Sequence, residues 1–276
     1  MSYKTILVCL NEISRLPQLI AAARALGVRF NSHIIGLYVI PAVQVYPSDG
    51  LGGTANFYDG TRIFFQDHLP RARESFESAM QMDKLSFETH VVDSSLPLIA
   101  HEMIDNCRNA DLVILSNTNR DKIGEIEGDF VETFILAAGR PVVILPYIGE
   151  AKLKTDQIMV GWDDSRESSR AVFDALPLLQ KAKLTRLVTI DVPARATLPA
   201  ASIAETLDRH GVKIEITDVV SDGMSVGETL LRAANDHGAD LIVLGAYGHS
   251  RFSEMVFGGA TRHIIRNLDR PVLMSH

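Results

Sequence analysis

The sequence predicts an α/β protein of two tandem domains, each a doubly wound, five-stranded parallel sheet with helices on both faces. Three observations predict this class. The length of 276 residues exceeds that of one typical domain. The second half of the chain resembles the first. In each half, short and almost continuously apolar runs alternate with helical segments, which is the pattern of a parallel sheet covered on both sides.

The repeat is visible at two places in each half. Residues 5–11 (TILVCLN) resemble residues 157–163 (QIMVGWD) at an offset of 152. Residues 110–115 (ADLVIL) match residues 239–244 (ADLIVL) at an offset of 129. The fall in offset from 152 to 129 places 23 extra residues in the middle of the first half.

The repeat predicts two domains, residues 1–148 and residues 156–276. The segment that joins them, residues 148–156, is polar and has no periodicity, as expected of a linker. Each half is long enough to bury a hydrophobic core of its own.

The second half shows the predicted elements most clearly. Its strands cover residues 158–162, 186–192, 212–220, 241–244 and 271–275. A helix follows the first strand, with Asp164 as its N-cap and Glu167 as the capping-box partner. Another helix covers residues 226–237 and ends at Gly238. The last helix begins after the glycine pair 258–259.

The extra residues of the first half fall within residues 43–80, where a glycine-rich, loop-like stretch precedes an amphipathic helix. The apolar positions at helical spacing are Phe65, Leu69, Ala72, Phe76 and Met80. Pro70 marks either a kink or the true start of this helix. Two roles stay open, since the helix either packs on its own domain or forms a groove or lid.

Composition excludes several functional classes. Apolar residues make up 46% and charged residues 22%, as in a folded soluble chain. The net charge of −7 argues against a broad nucleic-acid surface, which would need a basic stripe. The two cysteines, Cys9 and Cys107, form no CxxC pair and predict neither a disulfide framework nor a zinc site. No apolar run reaches the length of a signal peptide or membrane span, so we expect a cytoplasmic protein.

The candidate chemistry follows the fourth strand of the second half. Gly245, Gly248 and Gly258 have the spacing Gly-x2-Gly-x9-Gly, and a helix begins directly after them. Glycines let a ligand approach the backbone closely, and the free amides at a helix start attract anions. Thr261 would add a hydroxyl in the first turn.

An acidic residue is expected to face this anion site. If the strand order is 3-2-1-4-5, Asp163 at the end of the first strand lies across the switch point from the glycines. A carboxylate that accepts ribose hydroxyls would then face a phosphate site, which predicts nucleotide binding. The alternative is that the glycines only form turns and that Asp163 only caps a helix.

These motifs resemble the universal stress protein family. The resemblance is carried by residues 163–165 (DDS), residues 239–245, the spaced glycines and the closing run 270–273 (RPVL). It covers both halves except the insertion, and it implies a five-stranded parallel sheet and, in a subset of members, ATP binding. The contacts it implies are adenine or ribose at Asp163, adenine at Ile190, ribose and phosphates at Gly245 and Gly248, and phosphates at Gly258, Gly259, Ala260 and Thr261.

One position departs from the ATP-binding pattern of the family. The residue after the third glycine is usually Ser or Thr, and here it is Gly259. The lost hydroxyl bond is worth about 0.5–1.5 kcal/mol, whereas the backbone N–H remains. We therefore expect weaker binding and not the loss of the site.

The first half is predicted to have lost this site. Its substitutions at the matching positions are Asn11 for Asp163, Ser116 for Gly245, Asn119 for Gly248, Asp129 for Gly259 and Val131 for Thr261. Gly128 matches Gly258, but Asp121, Glu125 and Glu127 add negative charge nearby. A carboxylate 4 Å from a phosphate repels it by about 1 kcal/mol in water and by more in a less polar site. We expect no triphosphate and no metal in this half.

The leading prediction is a stress-response module with a regulatory or signalling role that binds ATP, with or without Mg²⁺, in its C-terminal domain. The alternatives are an interaction scaffold without nucleotide and a slow ATPase or autokinase. The enzyme is disfavoured because the chain has no GxxxxGK[ST] loop and no recognisable general base or acidic metal pair beside the phosphates. The resemblance also implies that residues 141–146 and 271–276 pair within one chain to form a pseudo-dimer. A homo-oligomer stays open.

Overall fold

The computed structural model describes residues 2–45, 57–58, 60–118, 126–148, 153–191, 199–247 and 259–276. Its contacts divide the chain into two units. We call Lys4–Ala138 the N-terminal unit, and Gly139–His276 together with Met1–Tyr3 the C-terminal unit. No helix in the described ranges is long and apolar enough to cross a membrane.

The N-terminal unit is a parallel sheet with helical connections. In chain order its elements are β1 (Thr5–Cys9), α1 (Leu16–Phe30), β2 (His33–Ile40), β3 (Gln44–Val45), β4 (Phe57–Tyr58), α2 (Gly60–Met82), β5 (Ser86–Asp93), α3 (Ile99–Cys107), β6 (Leu112–Ser116) and α4 (Phe130–Ala137). The strands lie in the order β6-β1-β2-β5 and all neighbours are parallel. The short strands β3 and β4 form a separate antiparallel pair.

The C-terminal unit contains the complete sheet of the second half. Its elements are β7 (Val142–Leu145), β8 (Gln157–Gly161), α5 (Arg166–Leu179), β9 (Leu184–Ile190), α6 (Pro199–Arg209), β10 (Ile214–Val219), α7 (Val226–Asp236), β11 (Leu241–Gly245), α8 (Gly259–Arg266) and β12 (Val272–Ser275). The strands lie in the order β10-β9-β8-β11-β12-β7. The first five are parallel neighbours, which confirms the predicted order 3-2-1-4-5 and the α/β class.

The Ala-Asp pair that repeats in the sequence has the same structural task in both units. The Asp111 carboxylate accepts hydrogen bonds from the backbone N–H groups of Lys4 and Thr5, at 2.7 and 2.9 Å. The Asp240 carboxylate accepts one from Gln157 N–H at 3.0 Å. In each unit the aspartate before the fourth strand therefore fixes the start of the first strand, and charge-assisted bonds of this kind are strong.

The closing run of the second half also has a structural role. The Arg270 guanidinium donates from Nη1 to the carbonyl oxygens of Ala234 and Ala239, at 2.8 and 2.9 Å. It also pairs with Asp269 at 2.8 Å, and this contact lowers the pKa of that carboxyl. Because the last carbonyls of a helix have no partner within it, Arg270 completes the end of α7 and anchors the entry to β12.

The extra residues of the first half lengthen an existing connection and add no new layer. Nineteen residues separate Ile40 from Gly60, against eight between Ile190 and Pro199, and α2 has 23 residues against 11 in α6. These two differences account for the 23-residue change in offset. Pro70 lies inside α2 and does not start it.

The long helix α2 packs on the sheet of its own unit. Its buried side chains are Phe65, Ala72, Phe76 and Met80, as the helical spacing predicts, whereas Leu69 is half-buried. Gly36 on β2 makes room for this packing, because a Cβ there would stand 2.6 Å from the Phe76 ring. Of the two predicted roles, the structure supports packing of the helix on its own domain.

The fifth strand of the first half, β7, groups with the C-terminal unit. It pairs antiparallel with β12, and Val142 lies opposite Met274. Tyr3 at the start of the chain belongs to the same unit, since its hydroxyl donates to the Asp174 carbonyl in α5 at 2.6 Å. The two stretches predicted to pair, residues 141–146 and 271–276, thus meet in one sheet. The pseudo-dimer and the domain limits at 148 and 156 stay predictions.

Candidate nucleotide site

The candidate site lies at the carboxyl edge of the C-terminal sheet, where the strand order reverses. β9 lies on one side of β8, whereas β12 lies on the far side of β11. Val160 on β8 pairs with Val243 on β11. Continuing that register by three residues brings Asp163 level with Ala246. In doubly wound sheets this crevice between the two central strands is where ligands bind.

Asp163 is exposed at the end of β8 and is held by a serine. Its Oδ1 accepts hydrogen bonds from the backbone N–H and the hydroxyl of Ser165, at 3.1 and 2.6 Å. These bonds orient the carboxylate at the rim of the crevice. Asp163 therefore does not cap the helix itself but bonds the residue that does.

The helix α5 is capped by Ser165, and the predicted cap at Asp164 is wrong. Ser165 Oγ accepts the N–H of Ser168 at 3.1 Å. Asp164 has φ +60°, in the left-handed region, so the extended geometry of an N-cap falls one residue later. Aspartate tolerates this conformation better than most residues do. Glu167 consequently does not occupy the capping-box position.

Gly245, the last residue of β11, is required by the approach of α5. A Cβ at this position would stand 2.4 Å from the backbone carbon of Glu167 and 2.4 Å from the backbone nitrogen of Ser168. Any side chain at residue 245 would overlap backbone atoms of α5, and this packing explains the glycine. It also brings the start of α5 directly over the end of β11, so that β8, β11 and α5 share one edge of the site.

The start of α8 lies beside the same strand end. Gly259, its first residue, is exposed, and no atom of the described residues lies within 4 Å of where its Cβ would stand. Ala260 is half-buried and Thr261 is buried. Thr261 Oγ1 accepts the N–H of Tyr247, two residues after β11, at 3.3 Å. Gly248 and Gly258 lie outside the described residues.

Ile190 ends β9 and is partly exposed on the other side of Asp163. Its neighbour Asp191, which the sequence reasoning missed, has φ +53° and accepts the Ser221 N–H at 3.0 Å. The hydrogen bonds from Ser221 hold the pKa of Asp191 below its ordinary value. The sequence could have indicated Asp191, because it follows an apolar strand directly, as Asp163 does.

The two sides of this edge differ in charge. Exposed carboxylates of Asp163, Asp164 and Asp191 stand at the ends of β8 and β9. The first turn of α8, whose amides have no carbonyl partner within the helix and which carries the positive end of the helix dipole, stands beside β11. An elongated ligand with hydroxyls at one end and an anion at the other would match both sides.

Two polar residues at the matching edge of the N-terminal unit are buried. The Asn11 amide is buried and bonds the backbone of Val39 twice, through Nδ2 at 2.7 Å and Oδ1 at 2.9 Å. Ser116, at the position of Gly245, is also buried. Burial raises the pKa of the nearby Cys9 thiol to about 12, so this cysteine is an inert core residue.

An internal carboxylate also holds a helix start in this unit. Glu127 accepts a hydrogen bond from the N–H of Ile99, the first residue of α3, through Oε1. Its Oε2 is buried and has no partner among the described residues. Burial is the main cause that raises the pKa of this carboxyl. Asn119, Asp121 and Glu125, also named from the sequence, lie outside the described residues.

Comparison with known proteins identifies the class. Residues 154–276 match the model of the universal stress protein family, and this part of the chain belongs to that family. The crystal structure of a universal stress protein from Archaeoglobus fulgidus DSM 4304 superposes with a TM-score of 0.73 at 16% identity, over 99% of this chain and 96% of that chain. That likeness shows a shared fold which includes the N-terminal half.

Two further relatives share a single half or little more. Universal stress protein MJ0577 of Methanocaldococcus jannaschii is 26% identical over 164 residues, which cover 58% of this chain and 92% of that protein. A universal stress protein solved in complex with cAMP is 23% identical, with a TM-score of 0.37 over 44% of this chain and 96% of that chain.

Proposed function

We propose that the C-terminal unit binds ATP or a related nucleotide and that the protein works as a regulatory module. The observation that carries this proposal is the strand-order switch between β8 and β11, since Asp163 follows β8 there and the first turn of α8 is bonded to the residue that follows the end of β11. Ligands of doubly wound sheets bind at this place. The family assignment of residues 154–276 supports the same conclusion.

The charges along the edge set the orientation of the nucleotide. Phosphates belong beside Gly259, which is exposed at the start of α8, because the first amides of a helix attract anions. The ribose belongs beside Asp163, because a carboxylate accepts hydrogen bonds from hydroxyls but repels phosphate. The base then lies towards Ile190, whose partly exposed side chain offers an apolar surface.

Binding without chemistry is the activity we propose. Among the described residues, no group of three His, Cys, Asp or Glu side chains is arranged to hold a metal ion. We propose that Mg²⁺, where present, arrives with the nucleotide and is held by its phosphates. A regulatory module needs only a ligand-dependent surface, and the first turn of α8 is the described part of the chain that the phosphates would touch.

Calorimetric titration with ATP, ADP, AMP and cAMP, with and without Mg²⁺, tests this proposal. Asp163→Ala should abolish detectable binding. Asp163→Asn keeps an acceptor for Ser165 but loses the charge, so it separates the ribose contact from the turn geometry. Asp164→Ala is the matched control, since it removes the adjacent exposed carboxylate, and it should bind like the wild type.

The single tryptophan gives a second readout in the same samples. Trp162 directly precedes Asp163 and is 7% exposed, so its emission should respond when the edge beside it is covered. Equal titrations for the wild type and Asp163→Ala would assign any binding elsewhere. If the wild type binds none of the four nucleotides, the proposal fails and the scaffold function is left.

A further inference from the structure

The turn that follows β11 has an unusual backbone. Tyr247 has φ +59°, in the left-handed region that a residue with a bulky side chain rarely adopts. Such a conformation persists where its surroundings enforce it. The preceding residue is fixed from β12, because Ala246 N–H donates to the Ser275 carbonyl at 2.8 Å and His276 Nδ1 lies 3.0 Å from the Ala246 carbonyl oxygen.

The other constraint comes from the first turn of α8. Thr261 is 6% exposed, and its Oγ1 accepts the N–H of Tyr247 at 3.3 Å. This bond joins the turn after β11 to the first turn of α8. It also links the position of α8 to the direction in which the chain leaves β11.

The N-terminal unit supplies an internal comparison. At the position of Tyr247 it has Thr118, whose N–H bonds the side-chain oxygen of its neighbour Asn117 at 3.0 Å. The backbone there does not enter the left-handed region. At the position of Thr261 it has Val131, which is buried and apolar. The unit without the hydroxyl thus also lacks the left-handed turn.

We infer that Thr261 is a positioning residue for the proposed nucleotide site. Its hydroxyl oxygen holds the N–H of Tyr247 in the left-handed turn and so fixes the first turn of α8, where the phosphates are proposed to bind, against the end of β11. This inference rests on the proposed function for its effect on binding. The role differs from a direct phosphate contact, which the family resemblance implies for this threonine.

Removal of the hydroxyl at constant shape tests the inference. Thr261→Val should weaken ATP binding by about 2- to 10-fold, the effect of losing one neutral hydrogen bond. Thr261→Ser restores the acceptor and should recover most of the affinity. The matched control is Thr229→Val, because Thr229 is a fully buried threonine of α7 that bonds only within its helix in the described structure. This control should bind like the wild type.

A double-mutant cycle with Tyr247→Gly separates positioning from direct contact. Glycine adopts positive φ without strain, so the turn no longer depends on Thr261 in that background. If Thr261 positions the turn, Thr261→Val should lose little affinity when residue 247 is glycine. If the hydroxyl only contacts phosphate, the loss should be the same in both backgrounds, and the inference is overturned.

Amide hydrogen exchange without nucleotide gives a test that does not depend on binding. The N–H of residue 247 should exchange faster in Thr261→Val than in the wild type or in Thr261→Ser. Unchanged exchange overturns the positioning role. If the wild type binds no nucleotide, the proposed function fails, and the exchange rates still decide whether Thr261 holds the turn.

Discussion

Gly259→Asp tests the phosphate end of the site with the least structural disturbance. The residue begins α8 and is exposed. Apart from its chain neighbours and the backbone of its own helix, no atom of the described residues lies within 4 Å of its Cβ position, so this part of the structure leaves room for an aspartate. The N-terminal unit already carries Asp129 at the matching place. The substitution therefore copies into the second unit a feature of the first.

The expected loss of affinity follows from Coulomb repulsion. A carboxylate about 4 Å from one phosphate charge costs about 1 kcal/mol in water and about 4 kcal/mol at an effective dielectric constant of about 20. At about 1.4 kcal/mol per tenfold change, ATP binding should weaken by about 5-fold to about 1,000-fold. Fold stability should move the other way, since an acidic residue in the first turn of a helix adds about 0.3–1 kcal/mol.

Because Gly259→Asp should lower the ATP affinity but raise the fold stability, a loss of binding cannot be attributed to unfolding. Calorimetric titration gives the affinity, and thermal unfolding without nucleotide gives the stability of the same variants. Gly259→Asn is the neutral control of similar size and should keep most of the affinity. Gly259→Ser restores the hydroxyl usual in ATP-binding relatives and should strengthen binding. Equal affinities for the Asp and Asn variants would refute the placement of phosphates at this helix start.

Three further predictions concern stability. Burial raises the pKa of Glu127 above its ordinary 4.5, so the folded protein loses stability as the pH rises through that raised pKa. Glu127→Gln should remove this loss, which thermal unfolding measured between about pH 4 and about pH 8 would show. Gly245→Ala should destabilise by more than about 2 kcal/mol in urea unfolding, since its Cβ would overlap the backbone at Ser168; a neutral result would mean that α5 can withdraw. Asn11→Ala should cost about 2–4 kcal/mol by leaving both backbone groups of Val39 unsatisfied, while nucleotide affinity measured by titration stays unchanged.

The sequence predicted the central strands of the sheets well because these strands are buried on both faces. β8, β11 and β12 are continuous apolar runs bounded by polar residues, and such runs have few alternative structures. The strand order, 3-2-1-4-5, entered the sequence argument as a condition, and the structure confirms it. The offset of the repeat gave the size of the insertion but not its form, since counting residues cannot distinguish a longer helix from an additional one.

The helix cap and the turns of the site depend on backbone dihedral angles that cannot be read from a sequence pattern. Asp163, Asp164 and Ser165 are all residues that cap helices, and the left-handed conformation of Asp164 selects Ser165. Glu127 was predicted to repel phosphate from its charge alone. Its bond to the start of α3 depends on two segments 28 residues apart and could not be read from composition.

The antiparallel contact between β7 and β12 has a consequence for how the chain is completed during synthesis. Val142 is synthesised long before Met274, its partner in the sheet. Tyr3 is synthesised 171 residues before Asp174, its hydrogen-bond partner. Long-range pairings of this kind form slowly, because a large loop must close before any contact is gained. The C-terminal unit, which contains the proposed nucleotide site, can therefore complete its sheet only after β12 is synthesised. By then Lys4–Ala138 has had time to fold.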